Sequence, residues 1–297
     1  MKSYNDICSG IGQKFLNTGA RSQCLEAVTV LLVLAKDSFR FDTLEDFRKK
    51  SVWDSAIESK ALVPLFELYE LAPANTEATF YESRNFKKQT QKAAKITTAE
   101  LYLSICSDNA LRSYAGNGEY SRVFEVTEEG DIIGVYDSDG IKIKGQKLKD
   151  FSVGIRQVAT TDKPPTTEIS IAYADYEELS GWGVLTTPDF DPVLDLSGIF
   201  GIAVTVVSAT TSAISFRATE GCGNVNFGIA TPTAWKVLEN DGISEVTATF
   251  AYVSATETYT ATGTFVSGKK YFITSGGVQT ETVSGDFYEV WGEVSIP

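Results

Sequence analysis

The hydrophobic pattern changes period along the chain. From Ser22, a candidate helix cap, Leu25, Val28, Leu32 and Ala35 recur at helical spacing. Val30, Leu31, Val33 and Leu34 make the other face apolar as well, so this element must be buried. Its β-branched residues leave a strand reading open for the later part. Thr43 with Asp46 resembles a capping box for a second helix. Leu44, Phe47, Val52 and Trp53 form the apolar face of that helix, with Arg48, Lys49 and Lys50 outside it. After Leu62 the period falls to two. Strands are expected over 62–71, 76–82, 123–126, 132–136, 141–144, 148–155 and 168–173, with 96–105 open between strand and helix. A short helix is expected over 109–114, ended by Gly116. The stretch Ser121 to Arg156 reads as a β-meander, with turns at Glu128–Asp131 and Asp137–Gly140.

Past Thr186-Thr187-Pro188-Asp189, helix formers thin out and about seven short strands recur at sandwich spacing. Val246, Ala248, Phe250 and Tyr252 share one strand face, and Tyr259, Ala261, Gly263 and Phe265 repeat the pattern. The expected class is mainly β with an N-terminal helical segment. It comprises a helical segment over 1–60, a β-barrel or sandwich body over 61–187, and an immunoglobulin-like β-sandwich over 188–297. Counted from Asp189, four Lys or Arg face twelve Asp or Glu, so the sandwich would carry most of the chain's net charge of −13.

That charge weighs against a protein that grips nucleic acid through phosphates, and no sequence-specific nucleic-acid binding is expected. The longest apolar run, 25–35, is about half of what spans a bilayer, and the first residues lack a signal-peptide pattern, so no membrane partner is expected. Cys8, Cys24, Cys106 and Cys222 are scattered without a CxxC pair, which predicts free thiols. The chain has no histidine, the usual general base and metal ligand. Carboxylate-only hydrolysis remains the one enzymatic class to weigh. The cluster Asp175, Glu177, Glu178 has no sugar-stacking platform beside it in sequence.

Other motifs resolve to structure. Asp137-Ser138-Asp139-Gly140 starts like a calcium loop, but its twelfth position is Leu148 instead of Glu, so a hairpin turn is expected. The glycines around Cys222 lack phosphate-loop spacing. Trp182, Trp235 and Trp291 could stack on sugars, though aromatics in sandwich strands are usually core. No catalytic, cofactor or metal site is expected. The basic stretch 84–95, RNFKKQTQKAAK, reads as an exposed loop or long hairpin tip. Its Arg84, Lys87, Lys88, Lys92 and Lys95 are candidate subunit contacts, reaching an acidic neighbouring copy.

The order of parts resembles virion structural proteins of tailed bacteriophages. The resemblance rests on the helical start, WDSAIESKALVP (53–64), YSRVFEVTEEGDIIGVYDSDG followed by IKIKGQKLKDFSVGI, and the Thr/Gly-rich tail. It implies a non-enzymatic tail-tube or ring component, made in the host cytoplasm and located in the virion. Its partners would be itself and other virion proteins, and its acidic surface would let DNA pass. The alternatives are a capsid or head-decoration protein, or an adhesin that binds glycans through the C-terminal domain.

Overall fold

The computed structural model describes residues 27–65, 68–77, 79–83, 86–91, 95–103, 105–116, 118–175, 178–220, 225–226, 235–280 and 286–297. The chain is mainly β, with two large sheets, one of them curled into a half-barrel. It divides into two compact units between Leu196 and Ser197.

The first unit opens with β1 (Thr29–Lys36), then α1 (Leu44–Arg48), α2 (Lys50–Glu58), β2 (Leu62–Pro64) and β3 (Glu70–Pro73). Strands β4 (Thr79–Ser83) and β5 (Phe86–Gln91) form a separate hairpin. Next come β6 (Ile96–Tyr102), α3 (Ile105–Tyr114), β7 (Tyr120–Thr127), β8 (Ile132–Tyr136), β9 (Ile143–Lys144), β10 (Gln146–Val153) and β11 (Thr166–Tyr173). The unit closes with α4 (Glu178–Trp182), β12 (Gly183–Thr186) and α5 (Pro192–Asp195). The sheet runs β12-β8-β7-β10-β11-β6-β3, with β1 paired to β7 and β2.

The helix expected through Leu32 and Ala35 is corrected to a strand from Thr29 onward; residues 22–26 lie outside the described residues. Leu31 to Ala35 are all buried, so this strand is covered on both faces, and an all-round apolar run fits such a strand as well as it fits a buried helix. Leu32 and Leu34 enter a core with Val123, Leu101, Ile169 and Ile171. On the opposite face, Val33 pairs with Phe124, whose ring meets Phe41, Phe47 and Trp53 at centroid distances of 5.4–5.6 Å.

The helices expected after Thr43 are present, and the Asp46 N–H donates to the Thr43 hydroxyl at 3.1 Å. Their basic residues serve intramolecular contacts. Lys49 pairs with Glu45 at 2.7 Å, Lys50 pairs with Asp54 at 3.1 Å, and Arg48 donates to the Thr187 carbonyl at 2.8 Å. The Asp189 N–H donates to the Arg48 carbonyl, the Lys50 N–H donates to the Asp189 carboxylate, and Phe190 packs edge-on to Trp53. These ties explain why the segment after Thr187 clusters with the first unit, beyond the expected boundary. Counted from Ser197, the second unit holds four Lys or Arg against nine Asp or Glu, a balance of −5 that leaves −8 to the first unit. The C-terminal unit therefore does not carry most of the charge.

The meander is only partly sequential. β7, β8 and β9 pair in order, but β10 returns to lie between β7 and β11. The chain steps from β8 to β7 at Gly145, where an added Cβ would meet the backbone of Val123 at 2.8–2.9 Å. Only glycine permits so close a crossing.

The second unit contains β13 (Phe200–Ala209), β14 (Ala213–Glu220), β15 (Val225–Asn226), β16 (Lys236–Glu239), β17 (Glu245–Val246) and β18 (Ala248–Val253). They are followed by β19 (Thr258–Gly263), β20 (Lys270–Thr274), β21 (Gln279–Thr280) and β22 (Phe287–Ser295). The strand order is β17-β16-β20-β22-β13-β14-β19-β18, with β13 and β22 parallel. Phe216, Trp235, Tyr259, Tyr271, Ile273 and Val290 fill the core. Phe250 and Tyr252 pack against it from the face that the alternation indicates.

The expectation of free thiols fails at Cys106, which is disulfide-bonded; the other three cysteines lie outside the described residues. Spacing in sequence says nothing about which thiols meet in space. Non-reducing peptide mapping should recover Cys106 in a linked peptide. Reduction should then lower stability by about 2–4 kcal/mol in denaturant titrations. A free Cys106 thiol in the native protein would contradict this.

Candidate assembly surface

On the outer face of the first sheet, Glu70 lies opposite Glu100, and Glu100 lies opposite Glu168. Three carboxylates thus stand in register on three adjacent strands. Directly opposed like charges cost stability. Nothing in the fold requires them: the inward positions, Leu71, Ala99, Leu101, Ile169 and Ile171, supply the core. The Lys163 ammonium meets Glu100 at 2.5 Å, and this contact raises the Lys163 pKa.

Beside the row, the rings of Tyr69 and Tyr102 pack with centroids 4.3 Å apart and planes tilted by 41°, with 60% and 41% of their surfaces exposed. The Tyr102 hydroxyl is pushed up to about 12, first by desolvation, then by its hydrogen bond with Tyr69 and the charges of Glu100 and Glu70. An exposed aromatic pair beside a fixed charge row has the make-up of an interface centre.

The sequence-predicted contacts divide. Lys87 and Lys88 fall on β5, opposite Glu82 and Tyr81 of β4, so the stretch is a hairpin strand. Arg84 and Lys92 lie outside the described residues. Lys95 is engaged within its own protomer: its ammonium lies 3.9 Å from Glu125 and 4.4 Å from the centre of the Tyr173 ring.

Glu125 is buried and accepts hydrogen bonds from Thr29 at 3.1 Å, Gln146 at 2.9 Å and Tyr173 at 2.8 Å. Burial and the Glu125 charge push the Tyr173 hydroxyl far above its ordinary value. This cluster borders a cavity of about 340 Å³ whose apolar wall includes Leu32, Leu71 and Ile171.

Two further carboxylates hold the unit together. Burial works to raise Asp108, but hydrogen bonds from Arg112 and Thr167 outweigh it and leave the carboxyl below its ordinary value. Asp137, from the calcium-like turn, accepts from Arg40 Nε at 2.8 Å and Lys144 Nζ at 2.9 Å. With the Ser138 N–H, these hold it well below the carboxylate range. Among the described residues, no three His, Cys, Asp or Glu side chains gather as metal ligands.

A depressed folded pKa contributes stability above the unfolded value of about 3.9, and this is lost as pH falls through the folded value. Asp137→Asn should therefore cost about 1–3 kcal/mol at pH 7, and the gap to wild type should close toward pH 2. Denaturant midpoints across that range test it; a gap independent of pH would refute the linkage.

Trp235 is buried in the core, as aromatics in sandwich strands are expected to be, whereas Trp182 and Trp291 keep 49% and 54% of their surfaces exposed. Alternation carried the signal for Trp291. Its neighbours Val290 and Gly292 are buried, as are Tyr288 and Val294, which leaves Trp291 on the outer face. No family model matches the chain, and no curated protein matches it.

Proposed function

We propose that the chain is a non-enzymatic structural protein of a tailed-phage particle, which assembles with copies of itself and other virion proteins into rings or a tail tube. The observation that carries this reading is the carboxylate row Glu70–Glu100–Glu168 beside the exposed Tyr69–Tyr102 pair, in a chain whose β4–β5 hairpin bears Lys87 and Lys88. An acidic row on one copy and a basic hairpin on the next give a heterologous contact, the kind that closes into rings. The net charge of −13 would keep DNA phosphates from adhering to such a tube.

Size-exclusion chromatography with light scattering and negative-stain imaging test the reading. Wild type should form rings or tubes. Glu100→Lys and the pair Lys87→Glu/Lys88→Glu should each weaken assembly by about tenfold or more in concentration, and combining them should restore part of it. A wild-type monomer at every concentration, or charge reversals without effect, would overturn it.

A further inference from the structure

We infer that the outer face of the second unit's sheet binds an acidic sugar, with a pyranose ring on Trp291 and its carboxylate on Arg217. The Trp291 indole stacks on Phe272 with ring centroids 4.9 Å apart and planes 21° apart, so one face is backed and the side chain is held upright. Across the parallel β13 strand its partner is Ala203, whose methyl cannot cover the other face. That accounts for the exposure of Trp291 in a sheet whose inward residues are fully packed.

An aromatic wall beside the small side chain of Ala203 offers its negative π-face to the polarised C–H groups of a sugar ring. Hydrogen-bonding groups border it. Glu293 is paired with Lys270 at 2.6 Å, and Thr205 lies opposite Arg217. A flat apolar surface with a few placed polar groups is what orients a small polar ligand.

Charge selects the ligand. The second unit has four cations, Arg217, Lys236, Lys269 and Lys270. Lys236, Lys269 and Lys270 pair with Glu245, Glu239 and Glu293, whereas Arg217 is exposed and has no ion pair among the described residues. Arg217 stands two strands across from Trp291 and two residues along, about 12 Å between Cα atoms from strand spacing and rise. A sugar ring lying against the indole, met by the long arginine side chain, closes that gap. The guanidinium fork matches a carboxylate in two parallel hydrogen bonds.

Calorimetric titration and saturation-transfer NMR with 3′-sialyllactose and trigalacturonate, against lactose as the neutral control, test the inference. Wild type should bind the acidic sugars about tenfold or more tightly than lactose. Trp291→Ala and Arg217→Ala should each weaken that binding by at least about tenfold, Trp291→Phe and Arg217→Lys by less, and Trp182→Ala not at all. Absence of binding to either acidic sugar would overturn the proposal, as would equal binding of lactose, or binding indifferent to Arg217→Ala. If Trp291→Ala alters the oligomeric state while sugar binding is nil, the face is a contact between copies and the inference fails.

Discussion

Trp53→Ala should remove about 3–5 kcal/mol from the stability of the first unit, the largest loss expected from any single truncation among the described residues. The indole is fully buried, and its Nε1–H donates to the Phe47 carbonyl at 2.8 Å. Around it stand Phe41 at 4.9 Å, Phe124 at 5.4 Å, Phe47 at 5.7 Å and Phe190 at 6.4 Å between centroids. Truncation opens a void among rings supplied by α1, β7 and the segment before α5, which cannot all collapse into it. It also leaves a carbonyl without its donor. Domain stabilities are about 5–15 kcal/mol, so the variant would be near the edge of folding at 37 °C. Because the two units have separate cores, unfolding should show one transition shifted and one unchanged. Trp182→Ala, at a half-exposed position, should move neither by more than about 0.5 kcal/mol. A Trp53→Ala loss below about 1 kcal/mol would mean that the ring cluster is not the keystone of the unit.

Much of the fold was legible because period and turn chemistry are local. The strand Ile132–Tyr136 lies between the two turns that bound it, and Gly130 and Gly140 take the positive φ that those turns require. The element at Thr29–Lys36 was misread for a reason that is also physical. A strand buried on both faces has no alternation to display, and only its β-branched residues hinted at its state. Likewise β10 was placed correctly as a strand, but nothing local says that it pairs with β7 instead of β9.

The candidate surface was harder to read. Glu70, Glu100 and Glu168 are far apart in sequence, and only the registers of β3, β6 and β11 make them a row. The basic stretch was visible as composition, yet its last member, Lys95, folds back onto Glu125 and Tyr173. Arg217 is one of four cations in its unit, and only the ion pairs of Lys236, Lys269 and Lys270 set it apart.

The same dependence on tertiary contact makes Arg122→Met the second large effect, expected at about 3 kcal/mol or somewhat more. Arg122 keeps only 6% of its side chain exposed, within a chain of alternating charges. Its Nε lies 2.9 Å from Asp37, Nη1 donates to the Gly145 carbonyl at 3.0 Å, and Glu178 stands at 3.8 Å. Lys144 lies 3.9 Å from Glu178 and 2.9 Å from Asp137, which Arg40 meets in turn. The network joins the β1–α1 connection, β7, the β8–β9 turn and α4 at the point where the chain crosses at Gly145. Removing the guanidinium strands the Gly145 carbonyl and leaves Glu178 with the Lys147 N–H at 2.8 Å and a single cation, Lys144, at 3.9 Å. The orphaned, buried Gly145 carbonyl and a half-buried carboxylate short of one cation make such a deletion costly, since the intact pair itself is near neutral against desolvation. Arg122→Lys should recover little, because one ammonium cannot reach three acceptors held in a fork. Arg122→Met combined with Glu178→Leu should recover part of the loss, and denaturant titrations of the four-member cycle measure that coupling. An Arg122→Met variant within about 0.5 kcal/mol of wild type would show that water, not the network, satisfies these groups.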